Sequence, residues 1–401
     1  MRNVKSRGVI VYSGSYFIQQ MAYYGMRSML VLYMLDENFL NLPHEKVIET
    51  YKIFSLSLIF SPLLGGLLGD LFLGNRRVLL AGGLLQVIGM ILLVIPNEYS
   101  LYTGLIFIVL GIGLYMPNLM AQYGKELMLK PGSLDTGFVL MYTLVNLGAF
   151  SSTFFLVGFG ENYTMAFVLS SLLMFLAFGL IRWGESNVVT KDNTLKPADH
   201  KGANYVLFAL LSIGLFWGVY EITGSKLLML QMQTELIIAN FPESFWVHLS
   251  LFFTLVFSVI TIFLWLFYPN RQILKMAIGF LLAGIAFALF LAISNSPSDL
   301  KDGIYIIGLV LLSAAEVFIA PIVNSVITRY SNPKFLATIF SLTYLPTRLF
   351  LVMYGFSLQY FGIENVEVFS LGLYVLLFLG FVLLTLSFIA GNNLKEKELS
   401  D

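Results

Sequence analysis

The sequence has no cysteine, and its three histidines are scattered along 401 residues. Disulfides and thiol chemistry are therefore excluded, and the scattered histidines argue against a metal cluster. Charge is scarce as well. Asp, Glu, Lys and Arg make up 11% of the chain, and acidic and basic groups balance at 23 each. A chain without net charge offers no general attraction to nucleic acid. No glycine-rich loop of the kind that cradles phosphates is visible, so direct drive by ATP has no support. No nucleophile–base pair that would mark an enzyme stands out.

What is present is apolar surface, with 58% hydrophobic residues, 15% aromatics and 34 glycines. A soluble domain of this size needs far less. Apolar runs long enough to cross about 30 Å of hydrocarbon occur at 9–35, 52–73, 77–95, 100–120, 135–158 and 163–182. Six more follow at 204–224, 245–269, 273–293, 303–326, 335–358 and 368–390. The basic start, Met1 to Arg7, has the look of a signal peptide. The run behind it is too long for one and shows no clear cleavage site, so it reads as a retained first span. The longest polar connections are 36–51, 183–203 and 225–244.

Lysine and arginine gather on alternate connections. One side holds Arg7, Arg76, Arg77, Lys125, Lys130, Arg182, Arg271, Lys275, Arg329 and Lys334, among others; the opposite side has Lys46, Lys226 and Lys301. That asymmetry predicts an even number of spans with both termini in the cytoplasm. The expected fold class is an all-α polytopic membrane protein. Its expected parts are an N-terminal six-helix bundle over 1–182, a cytoplasmic linker over 183–203 and a C-terminal six-helix bundle over 204–401. Two six-helix halves around a cavity form a transporter architecture, although receptors, enzymes and scaffolds are polytopic too.

Against this apolar background Arg27, Glu221, Glu316 and Arg348 lie within or beside spans, where an ionisable group is expensive and usually has a partner or a task. Gln20, Tyr23 and Tyr24 share the helical neighbourhood of Arg27. Its guanidinium is a planar fork suited to a carboxylate; the alternative is an internal pair that locks helices. Glu316 can face an ammonium group, or hold a proton where apolar surroundings favour the neutral carboxyl. Its alternative is a pair with Arg348 or a bond to a helix. Glu221, after Phe216-Trp217, either loads and releases a proton or faces water near the outer end. Arg27 and Glu316 would put opposite charges on the two halves, so that a short zwitterion bridging them couples occupancy to closure. Asn146 offers a donor and an acceptor to a peptide backbone or to another helix. Trp217 is a cavity wall or ordinary packing. In Gly65-Gly-Leu-Leu-Gly-Asp70-Leu-Phe-Leu-Gly74-Asn-Arg76-Arg77, small residues let helix ends approach, Asp70 accepts hydrogen bonds at a helix end, and Arg76 and Arg77 hold the cytoplasmic side. A generic tight turn is the alternative.

That last stretch resembles the loop signature of the major facilitator superfamily. Tyr23-Tyr24-Gly25-Met26-Arg27-Ser28-Met29-Leu30-Val31-Leu32-Tyr33 resembles the first helix of the proton-dependent oligopeptide transporters, the POT/PTR family. Similar runs follow in order. They are Gly113-Leu114-Tyr115-Met116-Pro117-Asn118, Asp135-Thr-Gly-Phe138 leading to Asn146-Leu-Gly-Ala149, Phe216-Trp217-Gly-Val-Tyr220-Glu221, and Glu316 with Pro321. The resemblance implies the major facilitator fold, twelve transmembrane helices in two six-helix bundles. It further implies proton-coupled uptake of di- or tripeptides by alternating access, without a cofactor, by a monomer in a bacterial inner membrane. The implied partners are the substrate, protons and lipid. By the same resemblance Arg27 binds the peptide carboxylate, Tyr24 lines the site, Glu316 attracts the amino terminus, and Glu221 couples protons or gates.

The chain also departs from that family. The charged places of its Glu-x-x-Glu-Arg signature are Tyr16, Gln19 and Gln20, Met21 replaces a phenylalanine, and Met116 replaces a lysine before Pro117-Asn118. Two carboxylates and two cations are gone together, which leaves no net charge stranded in hydrocarbon. Glutamine cannot titrate, and Met116 offers polarizable apolar contact. Two expectations follow. Either peptides are still carried, with protons passing through Glu221 and Glu316, or the substrate is a different, more apolar compound, with or without proton coupling. In another class altogether stand a membrane enzyme and a non-transporting binding protein.

Overall fold

The computed structural model describes residues 7–159, 162–184, 202–233, 249–268, 271–293, 296–361 and 368–398. Most of the expected linker and the basic Met1–Ser6 stretch lie outside them. The secondary structure of the described residues is helical, without strand. The helices are α1 (Arg7–Leu35), α2 (His44–Leu67), α3 (Asn75–Leu92), α4 (Glu98–Met128), α5 (Leu134–Leu156) and α6 (Tyr163–Trp183). There follow α7 (Gly202–Gln233), α8 (Leu249–Phe267), α9 (Gln272–Ala292), α10 (Ser298–Tyr330), α11 (Leu336–Ser341), α12 (Leu345–Phe361) and α13 (Val368–Glu398). A 3-10 turn, Leu342–Tyr344, joins α11 to α12, and the pair forms one span.

Among the described residues, 11 helical stretches are long and apolar enough to cross a membrane. α1, at 29 residues, has the length but is diluted by Ser13, Ser15, Gln19, Gln20 and Arg27. With α1 the count reaches the expected twelve, and the chain is a multi-pass membrane protein. The first expected connection is shorter than 36–51, because α2 begins at His44, and α7 runs on to Gln233, into the expected 225–244 connection. α4 extends to Met128, since its last turns are buried: Lys125 is 4% exposed and donates to Asn75 Oδ1 at 3.0 Å.

The described helices form two compact units. The first comprises residues 1–134, 143–202 and 327–342; the second comprises 135–142, 203–326 and 343–401. In the first, α3 packs along α4 through reciprocal small residues. A Cβ on Gly82 would meet Gly111 O at 2.7 Å, and one on Gly89 would meet Gly104 O at 2.7 Å. These pairs lie two turns apart on both helices, so the backbones touch along a seam, the usual way helices associate where no hydrophobic effect drives them together. Gly111→Leu is expected to force this seam apart at a cost of about 1–3 kcal/mol. A clearly lower melting temperature in detergent checks it, with exposed Leu110→Ala as the neutral comparison. In the second unit α9 packs on α13, with Gly284 against Leu377 and Gly380 against Leu281.

The α2–α3 junction is helical almost throughout, rather than an open loop. α2 continues as a π-helical turn, Leu68–Leu73, and Gly74 at φ +82° ends it. Glycine reaches that left-handed region without the penalty a side chain would incur.

Candidate functional site

Arg27 lies on α1, part-buried among tyrosines. Its Nε donates to Tyr51 Oη at 2.8 Å and its Nη1 to Tyr23 Oη at 3.4 Å. The guanidinium carbon also stands 5.6 Å from the Tyr51 ring centre and 5.9 Å from that of Tyr23, within cation–π range. Tyr24 meets the Tyr23 ring edge-on at 5.3 Å and is itself exposed. Among the described residues no carboxylate lies within ion-pair distance of Arg27, and its Nη2 donates to no protein atom. Its tie to α2 runs through the neutral hydroxyl of Tyr51 instead of an ion pair. Two tyrosine hydroxyls orient the fork.

The neutral residues that replace the charged signature are interior ones. Gln19 is fully buried, and its Nε2 donates to Gln86 Oε1 at 3.0 Å. Gln20 is 4% exposed and lies where α1 meets Gly148 of α5. Tyr16 is buried, and Met116 and Asn146 are half-buried on α4 and α5. An amide pair in place of carboxylates keeps the helices hydrogen-bonded with no ion to desolvate.

In the second unit Glu316 projects from the middle of α10. Tyr142 Oη donates to its Oε1, and Thr254 Oγ1 donates to its Oε2 at 3.3 Å. The alternative pair with Arg348 is not formed. Arg348 Nη1 instead donates to Glu221 Oε2 at 2.8 Å, with both side chains over a third exposed. An ion pair so exposed stabilises by less than about 1 kcal/mol. Trp217 is half-buried and packs edge-on against Phe216 at 5.3 Å and Tyr220 at 5.4 Å.

Asp70 occupies the α2–α3 junction. Its Oδ1 accepts from Asn75 Nδ2 at 2.8 Å, and its Oδ2 accepts from the backbone N–H of Thr338 at 2.6 Å, in the first turn of α11. A carboxylate at a helix N-terminus meets the unsatisfied N–H groups and the positive end of the dipole. Asn75 also donates to Asn118 Oδ1 at 2.9 Å, and Asn118 Nδ2 to Gly65 O at 2.8 Å. Arg76 Nη2 donates to the carbonyls of Gly184 at 3.1 Å and Ile181 at 3.3 Å, whereas Arg77 is exposed.

Sequence reasoning missed Tyr51, Tyr142 and Thr254, which hold Arg27 and Glu316. It also missed a buried cluster in the second unit. There Lys275 of α9 pairs with Asp135 of α5, both almost wholly buried, and Asp135 Oδ1 accepts from Gln272 at 2.7 Å and Ser325 at 2.6 Å. Lys275 counts as a loop cation in the sequence, but it is an interior ion.

Residues 76–197 match the sequence profile of the POT family, PTR2. A di-/tripeptide transporter of Lactococcus lactis is 31% identical over 179 residues, 43% of this chain and 36% of that protein. The chain thus aligns with about a third of the length of that curated relative. An uncharacterized transporter of Bacillus subtilis, YclF, is 22% identical across 84% of this chain and 85% of its own. Among solved structures, a POT family transporter in complex with 5-aminolevulinic acid superposes at a TM-score of 0.63. It is 21% identical and covers 96% of this chain and 95% of its own. That likeness shows the fold, and the profile match adds the sequence of the family over α3 to α6. Residues 76–197 thus carry the sequence pattern of the POT family, PTR2.

Proposed function

We propose that the protein is a secondary transporter of di- and tripeptides or related small zwitterions, working by proton-coupled uptake and alternating access. The observation that carries this reading is a pair of charges whose protein partners, among the described residues, are neutral hydroxyls. Arg27 is held by Tyr23 and Tyr51, and Glu316 by Tyr142 and Thr254. A charge fixed by neutral groups keeps its Coulombic demand for a counter-ion. A zwitterion supplies both counter-ions at once, its carboxylate for Arg27 and its ammonium for Glu316. The structural relative that holds 5-aminolevulinic acid and the named substrate class of the Lactococcus relative share that amine-and-carboxylate chemistry.

In this reading Gln20, Tyr23, Tyr24, Met116, Asn146 and Trp217 line the substrate site. Glu316 and Glu221 carry the coupled proton, and Asp70, Arg76 and Arg77 serve gating. Residues 1–182 and 204–401 act as two six-helix bundles joined by 183–203. The protein is a monomer in a bacterial inner membrane with both termini in the cytoplasm. Neutral Gln19, Gln20 and Met116 favour a second reading, in which the substrate is more apolar than a peptide.

A thermal-shift screen followed by flux in proteoliposomes decides between them. Dipeptides are expected to raise the melting temperature and to enter vesicles faster under an inward proton gradient. Glu221→Gln with Glu316→Gln should remove the response to the gradient. Apolar compounds that stabilise and cross while dipeptides do neither would select the second reading.

A further inference from the structure

The buried face of α8 is its polar face. Its buried residues are Leu249, Thr254, Ser258, Thr261 and Trp265, whereas Val256, Val259, Ile260, Phe263, Leu264 and Leu266 are exposed. Thr254, Ser258, Thr261 and Trp265 recur at helical spacing, so they line one edge of the helix. Over 11 residues this edge runs about 16 Å at the rise of an α-helix. At one end Thr254 donates to Glu316. At the other, the Trp265 ring lies 4.3 Å from Lys275 Nζ, the cation paired with Asp135. The stripe thus joins two carboxylates of the second unit.

Between those ends Ser258 Oγ, Thr261 Oγ1 and Trp265 Nε1 are buried and have no hydrogen-bond partner in the protein. Serine and threonine in membrane helices ordinarily satisfy themselves on the preceding turn, as Thr223 does on Val219 O at 2.8 Å. The α8 groups do not. A polar group left bare in such surroundings costs several kcal/mol, and ordered water is the common remedy. We propose that this stripe is a hydrated proton path between Glu316 and the Asp135–Lys275 pair. The proposal rests on the transport reading for its purpose, but not for its hydration.

The protonated Glu316 carboxyl gives its proton to the first water, and each water or hydroxyl accepts one proton and passes one on. Asp135 takes the proton at the far end, so one carboxyl is ionised as the other is neutralised. Trp265, a donor only, anchors water without relaying. The titratable groups facing Glu316 are Tyr142 of α5 and Tyr220 of α7; those at the far end are Asp135 and Lys275.

Two measurements on the full chain test this. Hydroxyl radicals made from bound water by a short X-ray pulse should label Trp265, and Ser258→Ala with Thr261→Val should cut that labelling several-fold. In proteoliposomes the same double variant should slow gradient-driven dipeptide uptake about tenfold, while exchange at equal pH changes less than twofold. An unlabelled Trp265 in the unaltered protein means a dry stripe and overturns the proposal. So does a labelled Trp265 with gradient-driven uptake unchanged in the variant. A protein that labels at Trp265 but carries no dipeptide keeps the hydration and sinks the transport reading.

Discussion

Arg27→Ala is expected to weaken dipeptide binding about 100-fold, close to 3 kcal/mol at 1.4 kcal/mol per tenfold, while leaving the protein folded. In the proposed function Arg27 is a partly desolvated partner of the substrate carboxylate, and removing such a partner typically costs about 2–5 kcal/mol. The fold survives because the partners of Arg27 are the neutral hydroxyls of Tyr51 and Tyr23, so no carboxylate is orphaned among the described residues. Arg27→Lys keeps the charge but not the fork, and about a tenfold loss is expected. Binding by calorimetry in detergent, with the melting temperature of each variant, checks both halves of this prediction.

Lys275→Ala is expected to do the reverse, damaging the fold first. It strands Asp135, 1% exposed, with Gln272 and Ser325 as its remaining polar partners. Breaking a buried pair from one side costs about 3–5 kcal/mol. Replacing both members, Asp135→Leu with Lys275→Met, removes the unpaired charge and should recover most of the stability. Melting in detergent separates the outcomes. A single variant as stable as the double would mean that water already reaches the pair.

These two sites differ in how visible they are in the sequence. Arg27 is legible because an arginine inside an apolar run has no ordinary reason to be there. Its tyrosine partners are not equally legible. Tyr51 is one aromatic of 21 tyrosines, it falls in what reads as a loop, and nothing local ties it to a residue 24 positions away. The helices themselves are legible run by run, since each must cover the same thickness of hydrocarbon. Their ends are not, because a buried polar network extends α4 past Lys125 where hydropathy alone stops. Lys275 is hidden for a related reason. Counting lysines beside spans treats each as solvated, yet this one is paired 140 positions back with Asp135. Glu316 stands out in the sequence as Arg27 does, but helical position fits Arg348 to more than one carboxylate, and only packing chooses Glu221.

In the proposed function Arg27 and Glu316 each read one end of a zwitterionic ligand. Binding of a dipeptide, its N-acetyl form and its C-terminal amide to the unaltered protein, Arg27→Ala and Glu316→Gln tests it most directly. In the unaltered protein each cap should weaken binding at least tenfold. Amidation should cost nothing further in Arg27→Ala, and acetylation nothing further in Glu316→Gln. Variants that retain both penalties in full would contradict the account, since neither side chain would then be reading the end assigned to it.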